Sequence, residues 1–172
     1  VQGVNGIYNE MGLAAWEDKL YFTSIATQSP LEIDQGQYSL YVQNEGENIL
    51  VNGLITDPSR SIGSVAISDD GSVMVFSECL SEVRDNTSQC HLRLATRDDS
   101  TWVTKPAFSE AVNHENFTST HPTIRQEDNY YVVYFASNKD LGKGGLDLYE
   151  CILTENGGVK GPNALHSVNT AM

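Results

Sequence analysis

The chain has 172 residues, the length of one ordinary domain, and 40% of them are hydrophobic, enough to furnish a core. Ten Lys and Arg stand against 23 Asp and Glu, a net charge of −13 that repels phosphate backbones and anionic lipid headgroups. Nucleic-acid binding is therefore not expected, and no run approaches the roughly 20 apolar residues of a membrane span, so direct membrane insertion is not expected either.

Three units of similar layout follow one another along the chain, at about 5–56, 57–112 and 113–168. The first opens on Val4-Asn5 and predicts an inner strand over 13–16. An acidic turn at Glu17-Asp18 leads into Leu20-Tyr21-Phe22-Thr23-Ser24. A loop over 27–36 leads to Tyr38-Ser39-Leu40-Tyr41-Val42, and a weaker strand holds Ile49-Leu50-Val51. The second unit repeats the order. It has an inner strand over 64–67, the turn Asp69-Asp70-Gly71, then Val73-Met74-Val75-Phe76-Ser77. Cys90-His91-Leu92-Arg93-Leu94 and Trp102-Val103 follow. The third has an inner strand over 122–124 and the turn Glu127-Asp128-Asn129. Next come Tyr130-Tyr131-Val132-Val133-Tyr134-Phe135-Ala136-Ser137, Leu146-Asp147-Leu148-Tyr149-Glu150, and a last strand at Val159.

Phe22, Phe76 and Phe135 are spaced 54 and 59 apart, and Leu40, Leu92 and Leu148 are spaced 52 and 56 apart. Val-Asn recurs at Val4-Asn5, Val112-Asn113 and Val168-Asn169; the missing copy falls near Asp57-Pro58, where Asp is expected to replace Asn as a turn cap. Short β-branched and aromatic runs separated by Gly, Asn, Asp and Pro are all-β punctuation, and no segment has the long 3.6-residue period of a helix. The expected fold is all-β and β-propeller-type, with three four-stranded blades. A linear stack of sheets is the rival architecture. Runs as continuous as 130–136 suit strands buried on both faces by neighbouring blades. Closed propellers have about 4 to 8 blades. Residues 168–172 read as the start of a further unit, so the segment is expected to be part of a larger propeller, completed by more of its own polypeptide or by another copy.

The three cysteines, Cys79, Cys90 and Cys151, lack C-x-x-C spacing. Cys79 and Cys90 flank a polar loop between two apolar runs, so they can face each other across a hairpin. They are either a disulfide, in an oxidising compartment, or two buried small hydrophobes. Cys151 reads as core.

Trp102-Val103-Thr104-Lys105-Pro106, Val112-Asn113, His121-Pro122, Tyr134-Phe135-Ala136-Ser137-Asn138, Gly144-Gly145-Leu146-Asp147-Leu148-Tyr149 and Val168-Asn169-Thr170 occur in that order. In this series the chain resembles the TolB-type, WD-like β-propeller repeat of bacterial envelope proteins. Such repeats are found beside tetratricopeptide and OmpA-like peptidoglycan-binding domains, as in PorE-like type IX secretion components. The first unit also fits, while the middle one replaces G-G-x-D-L-Y with its cysteine-flanked loop. The resemblance implies a periplasmic, outer-membrane-associated scaffold. Its partners would be other envelope proteins or the remainder of its own propeller.

Chemistry-bearing motifs are sparse. His91, His114, His121 and His166 have no Cys, Asp or Glu at metal-ligand spacing, and His121 reads as a strand-entry residue serving turn backbone. There is no G-x-S-x-G, and Gly142-Lys143-Gly144-Gly145 reads as a tight turn rather than a phosphate cradle. No catalytic residue, cofactor or resident metal is expected; calcium among Asp140, Asp147 and backbone carbonyls is the lesser alternative, since the spacing of an EF-type loop is absent. The reading is a non-enzymatic interaction scaffold. Its binding rim is expected in loops 27–36, 81–89 and 139–145, with Asp98, Asp140, Lys143 and Asp147 as candidate contacts. The alternative is a glycan-binding or glycan-active propeller domain using an acidic rim.

Overall fold

A computed structural model describes residues 10–25, 37–54, 57, 59–82, 87–106, 108–140, 142–154 and 157–171, with the side chains of 81, 82, 87 and 88 left aside. The expected loop at 27–36 and the marker Val4-Asn5 lie outside the described residues. So does the tip of the cysteine-flanked loop.

Twelve strands form three four-stranded antiparallel sheets, each a simple meander, and no helix occurs among the described residues. Blade 1 is β1 (Glu10–Trp16), β2 (Lys19–Ile25), β3 (Tyr38–Asn44) and β4 (Glu47–Leu50). Blade 2 is β5 (Arg60–Ile67), β6 (Val73–Glu82), β7 (Thr87–Asp98) and β8 (Thr101–Thr104). Blade 3 is β9 (Ser119–Gln126), β10 (Tyr130–Ser137), β11 (Asp147–Thr154) and β12 (Val159–Ala164). The chain is thus all-β and β-propeller-type: β1, β5 and β9, the innermost strands, run side by side, and the sheets pack face to face around them.

The repeated Phe and Leu have a common logic. Leu40, Leu92 and Leu148 each stand opposite the residue after the Phe, namely Thr23, Ser77 and Ala136. Adjacent residues of a strand point to opposite faces, so Phe and Leu leave the sheet on opposite sides. Phe76 turns toward blade 1 and joins Leu40, Tyr21, Val65, Met74 and Trp102 in one apolar cluster. Phe135 turns toward blade 2 and joins Leu92, Val75, Leu94, Val112 and Tyr149 in a second. Each interface therefore meets a Leu from the blade before with a Phe from the blade after. Leu148, the third of the set, faces solvent at 46% exposure. Cys151 is fully buried in the second cluster, as expected of a core residue.

All three inner strands carry a bulge, opposite the Phe in blades 1 and 3 and one residue beyond it in blade 2. Gly12-Leu13 lies opposite Phe22, Gly63-Ser64 opposite Ser77, and His121-Pro122 opposite Phe135. A bulge puts two residues against one and bends the strand. In blades 1 and 2 buried hydroxyls from the second strand secure it: Thr23 Oγ1 donates to the Met11 carbonyl and Ser77 Oγ accepts the Ser64 N–H. In blade 3 Ser137 Oγ donates to the Thr118 carbonyl, just ahead of β9. His121 is thus not a strand-entry turn residue: it sits inside β9 in the left-handed region, with φ of 50°. A G1-type bulge takes its first residue in that conformation, and His tolerates it better than β-branched residues do. Gly12 meets the need with φ of 63°, and a Cβ there would lie 2.7 Å from the Gly63 carbonyl oxygen. Blades 1 and 2 touch backbone to backbone at that point.

The acidic turn between β5 and β6 ties all three blades together. Trp16 Nε1 donates to the Asp69 carbonyl at 3.3 Å from blade 1. From blade 3, the Gln126 amide accepts the Asp70 N–H and donates to the Asp70 carboxylate, both at 3.1 Å. Burial pushes the Asp70 carboxyl up. Hydrogen bonds from Ser68 Oγ, the Ser72 N–H and hydroxyl, and Gln126 outweigh it and hold the group below its ordinary value. A carboxyl lowered by folding contributes stability above its unfolded pKa and loses it as pH falls through the folded value. Acidification from about pH 5 to 3 should therefore lower the melting temperature of the native chain more than that of Asp70→Asn. Parallel pH profiles of thermal unfolding measure this, and superimposable slopes would refute it.

Candidate functional site

In each meander the connections after the second strand lie at one end of the blade, and the hairpins after the first and third lie at the other. The upper end holds the β6–β7 hairpin and the β10–β11 loop. The lower end holds tight two-residue turns whose first residues, Glu17, Glu45 and Asp99, have positive φ as such turns demand.

Cys79 and Cys90 are paired directly across β6 and β7 and joined by a disulfide, with their Cα atoms 4.0 Å apart. The bond fixes the hairpin near its upper tip. Free-thiol counting on unfolded, unreduced protein should find one thiol, that of Cys151, and selective reduction should cost ~2–3 kcal/mol by the chain-entropy estimate. Three thiols would remove the bridge. In the folded state burial, aided by nearby Glu150, pushes the Cys151 thiol up to about 12, so it should resist alkylating reagents until the chain unfolds.

Beside this hairpin the outer strand β8 covers only the lower part of β7. The linker over 108–118 runs along the rest. Asn113 mimics a strand residue there: its Oδ1 accepts the Leu92 N–H and its Nδ2 donates to the Leu92 carbonyl, both at 2.8 Å. Thr118 Oγ1 does the same for Cys90, accepting its N–H at 2.8 Å. Asn169 repeats the clasp on Leu148 in blade 3. The Val-Asn marker is thus a clamp on the Leu strand. Asp57 does not take that role. Its carboxylate accepts from the Ser59 N–H and hydroxyl, and these bonds hold its pKa low. It still caps a turn, but a carboxylate has no N–H to give a carbonyl, so the two-way clasp is closed to it. In blade 1 the Val51 N–H satisfies the Leu40 carbonyl instead.

The linker's outer turn is fastened on both sides. His91 Nε2 donates to the His114 carbonyl at 3.2 Å, and Gln89 Nε2 donates to the carbonyls of His114 and Glu115. The His114 ring stacks on Phe117, and its Nδ1 accepts the Asn116 N–H. From blade 3, Lys139 Nζ donates to the Ala111 carbonyl at 2.7 Å and lies 4.9 Å from the Phe117 ring centre. Asn138 Oδ1 accepts the Thr118 N–H at 2.7 Å. Hairpin, linker and β10–β11 loop thus form one rim. A depression of 420 Å³ opens in it, lined by His91, Arg93, Phe108, Glu110, Asn113, His114 and Glu115.

The four rim residues expected from sequence are not gathered here. Asp140 and Lys143 lie at the upper end, and Lys143 Nζ donates to the His166 carbonyl at 3.2 Å. Asp147 is buried, and its Oδ2 accepts the N–H groups of Lys143 and Gly144 at 2.6 and 2.9 Å. It closes the glycine-rich loop from below and presents no free carboxylate. Asp98 pairs with Thr101 at the opposite, lower end, so Asp98 and Asp147 are not facing carboxylates. Gln89 and Lys139 fall in the loops expected to form the rim; Asn113 reads from sequence only as the Val-Asn marker, and Thr118 has no motif of its own. Among the described residues no group of three or more His, Cys, Asp or Glu side chains is placed to hold a metal ion. No described helix is long and apolar enough to cross a membrane.

No family model matches the chain, and no curated protein matches it. Among solved structures it is similar to the Bombyx mori GH32 beta-fructofuranosidase BmSUC1, with 11% identity and a TM-score of 0.48. The match covers 89% of this chain and 34% of that enzyme, so the chain spans about a third of its length.

Proposed function

We propose that the chain is a non-catalytic protein–protein interaction scaffold that presents its upper rim to a partner. The observation that carries this reading is the way the rim is fixed. A disulfide, the Asn113 and Thr118 clasps and the Lys139 contacts lock three segments distant in sequence into one surface. A preorganised surface loses little conformational entropy on binding. The polar groups that sequence singled out point the same way, because Asp147, His91 and His114 are engaged with backbone groups rather than with one another.

The compartment we propose is the bacterial periplasm, in association with the outer membrane. Support comes from the resemblance to TolB-type repeats and from the Cys79–Cys90 bond, which belongs in an oxidising environment. The partners would be other envelope proteins, in a secretion or peptidoglycan-associated assembly, or further propeller blades. Pull-down from envelope extract tests the reading, using chains with segments 27–36, 81–89 and 139–145 exchanged singly and together. Partners are expected to be lost when the rim is replaced. An unchanged set after all three exchanges would sink the proposal. Turnover or saturable capture of glycans, lost on changing Asp98, would favour the glycan alternative.

A further inference from the structure

Blades 2 and 3 build the same apolar seat, and within the chain only that of blade 2 is filled. In blade 2, Leu92 and the linker residue Val112 are fully buried in the cluster that takes Phe135 of blade 3. Asn113 clasps the Leu92 backbone beside them. In blade 3 the counterparts are Leu148 and Val168, and Asn169 holds the Leu148 N–H and carbonyl by the same two hydrogen bonds, at 2.9 and 3.0 Å. Here, however, Leu148 is 46% exposed and Val168 57%. Strand alternation puts exposed Tyr130 and half-buried Tyr134 and Ile152 on the same face as Leu148. An apolar residue exposed singly needs no explanation, but a contiguous apolar face marks an interaction surface.

The matching face belongs to blade 1. Phe76 and Phe135 each leave their blade toward the one before, and Phe22 is their counterpart. Tyr21 packs toward blade 2, so its neighbour Phe22 points the other way. The Phe22 ring is buried against Tyr41, with ring centres 5.9 Å apart. Beside the pair, Leu50 lies opposite Tyr41 and is 43% exposed, and Leu13 of the bulge opposite Phe22 is 62% exposed. From this continuity we infer that the outer face of blade 3 docks on the outer face of blade 1 in a second copy of the chain. Leu148 and Val168 of one copy receive Leu13, Leu50 and the Phe22–Tyr41 pair of the other, as Leu92 and Val112 receive Phe135. Two such junctions close a ring, and two copies of three blades give six, within the about 4 to 8 of closed propellers. The net charge of −13 on each copy opposes the approach, so added salt should strengthen it. The inference does not rest on the upper-rim reading, because it uses the faces of the end blades and none of the loops.

The test is sedimentation velocity of the full chain over a range of concentrations, at low and at moderate salt. A monomer–dimer equilibrium is expected. Leu148→Asp and, separately, Leu13→Asp each alter one exposed side chain, and each should weaken dimerisation on the order of a hundredfold. Circular dichroism checks that both variants stay folded. Mixing the two variants should restore part of the association, because the intact blade 1 face of the first matches the intact blade 3 face of the second at one junction. A folded native chain that stays monomeric at every concentration would assign these faces to another occupant and overturn the proposal. So would a dimer indifferent to either substitution, or a mixture that associates no better than its parts.

Discussion

Phe76→Ala is expected to remove about 4 kcal/mol of stability, within the usual range for deleting a buried phenyl ring. Phe76 is fully buried and central to the cluster that joins blades 1 and 2. The loss combines the transfer energy of the ring with the cavity left among Leu40, Tyr21 and Trp102. Those residues come from rigid strands of two sheets and cannot collapse far. Urea unfolding measures the effect as a lowered midpoint at unchanged slope. Leu40→Ala should be costly as well, and the double variant should lose less than the two single losses summed, because the pair shares one contact. Strict additivity would deny the Phe–Leu interlock.

Asn113→Leu should cost a comparable ~4 kcal/mol, although it deletes no apolar contact. The Leu92 N–H and carbonyl would remain buried without partners, each costing about 1–3 kcal/mol. Asn113→Asp distinguishes this account from simple packing loss. It keeps the acceptor for the Leu92 N–H but cannot donate to the carbonyl while ionised, and it places a charge in a site only 9% exposed. Burial should raise that carboxyl's pKa in the folded state. The deficit should then be full above the folded pKa and shrink as pH falls through it, when the protonated group can donate. Urea titrations at neutral pH and at mildly acidic pH read this directly. A deficit indifferent to pH would show that the clasp is not what Asn113 contributes.

Much of the strand plan was legible in the chain. Phe22, Phe76 and Phe135 mark equivalent places because strand periodicity puts a large ring on one face and the Leu of the next strand on the other. Cys79 and Cys90 face each other across one hairpin, an arrangement that a polar loop flanked by two apolar runs allows. What remained hidden depends on geometry that composition does not encode. His121-Pro122 looks like a strand entry, yet it is a bulge whose counterparts in the other blades, Gly12-Leu13 and Gly63-Ser64, share no residue type with it. Asp57 looks like a substitute for Asn until the clasp is seen to need a donor and an acceptor on one side chain. Asp98 and Asp140 look alike in sequence, but a meander sends them to opposite ends.

The Phe–Leu arrangement gives every blade two unlike faces, one carrying a protruding ring and the other the aliphatic seat that receives it. A unit of this kind is complementary to a copy of itself placed next in line and not to a copy turned around. Tandem duplication of such a unit yields a neighbour that already fits, with no new surface to invent, and reversal of a unit yields one that cannot. The contact is heterologous, so the same rule that orders blades within the chain would order them between chains. Growth by repetition is therefore written into the choice of two side chains per blade, and it has a direction.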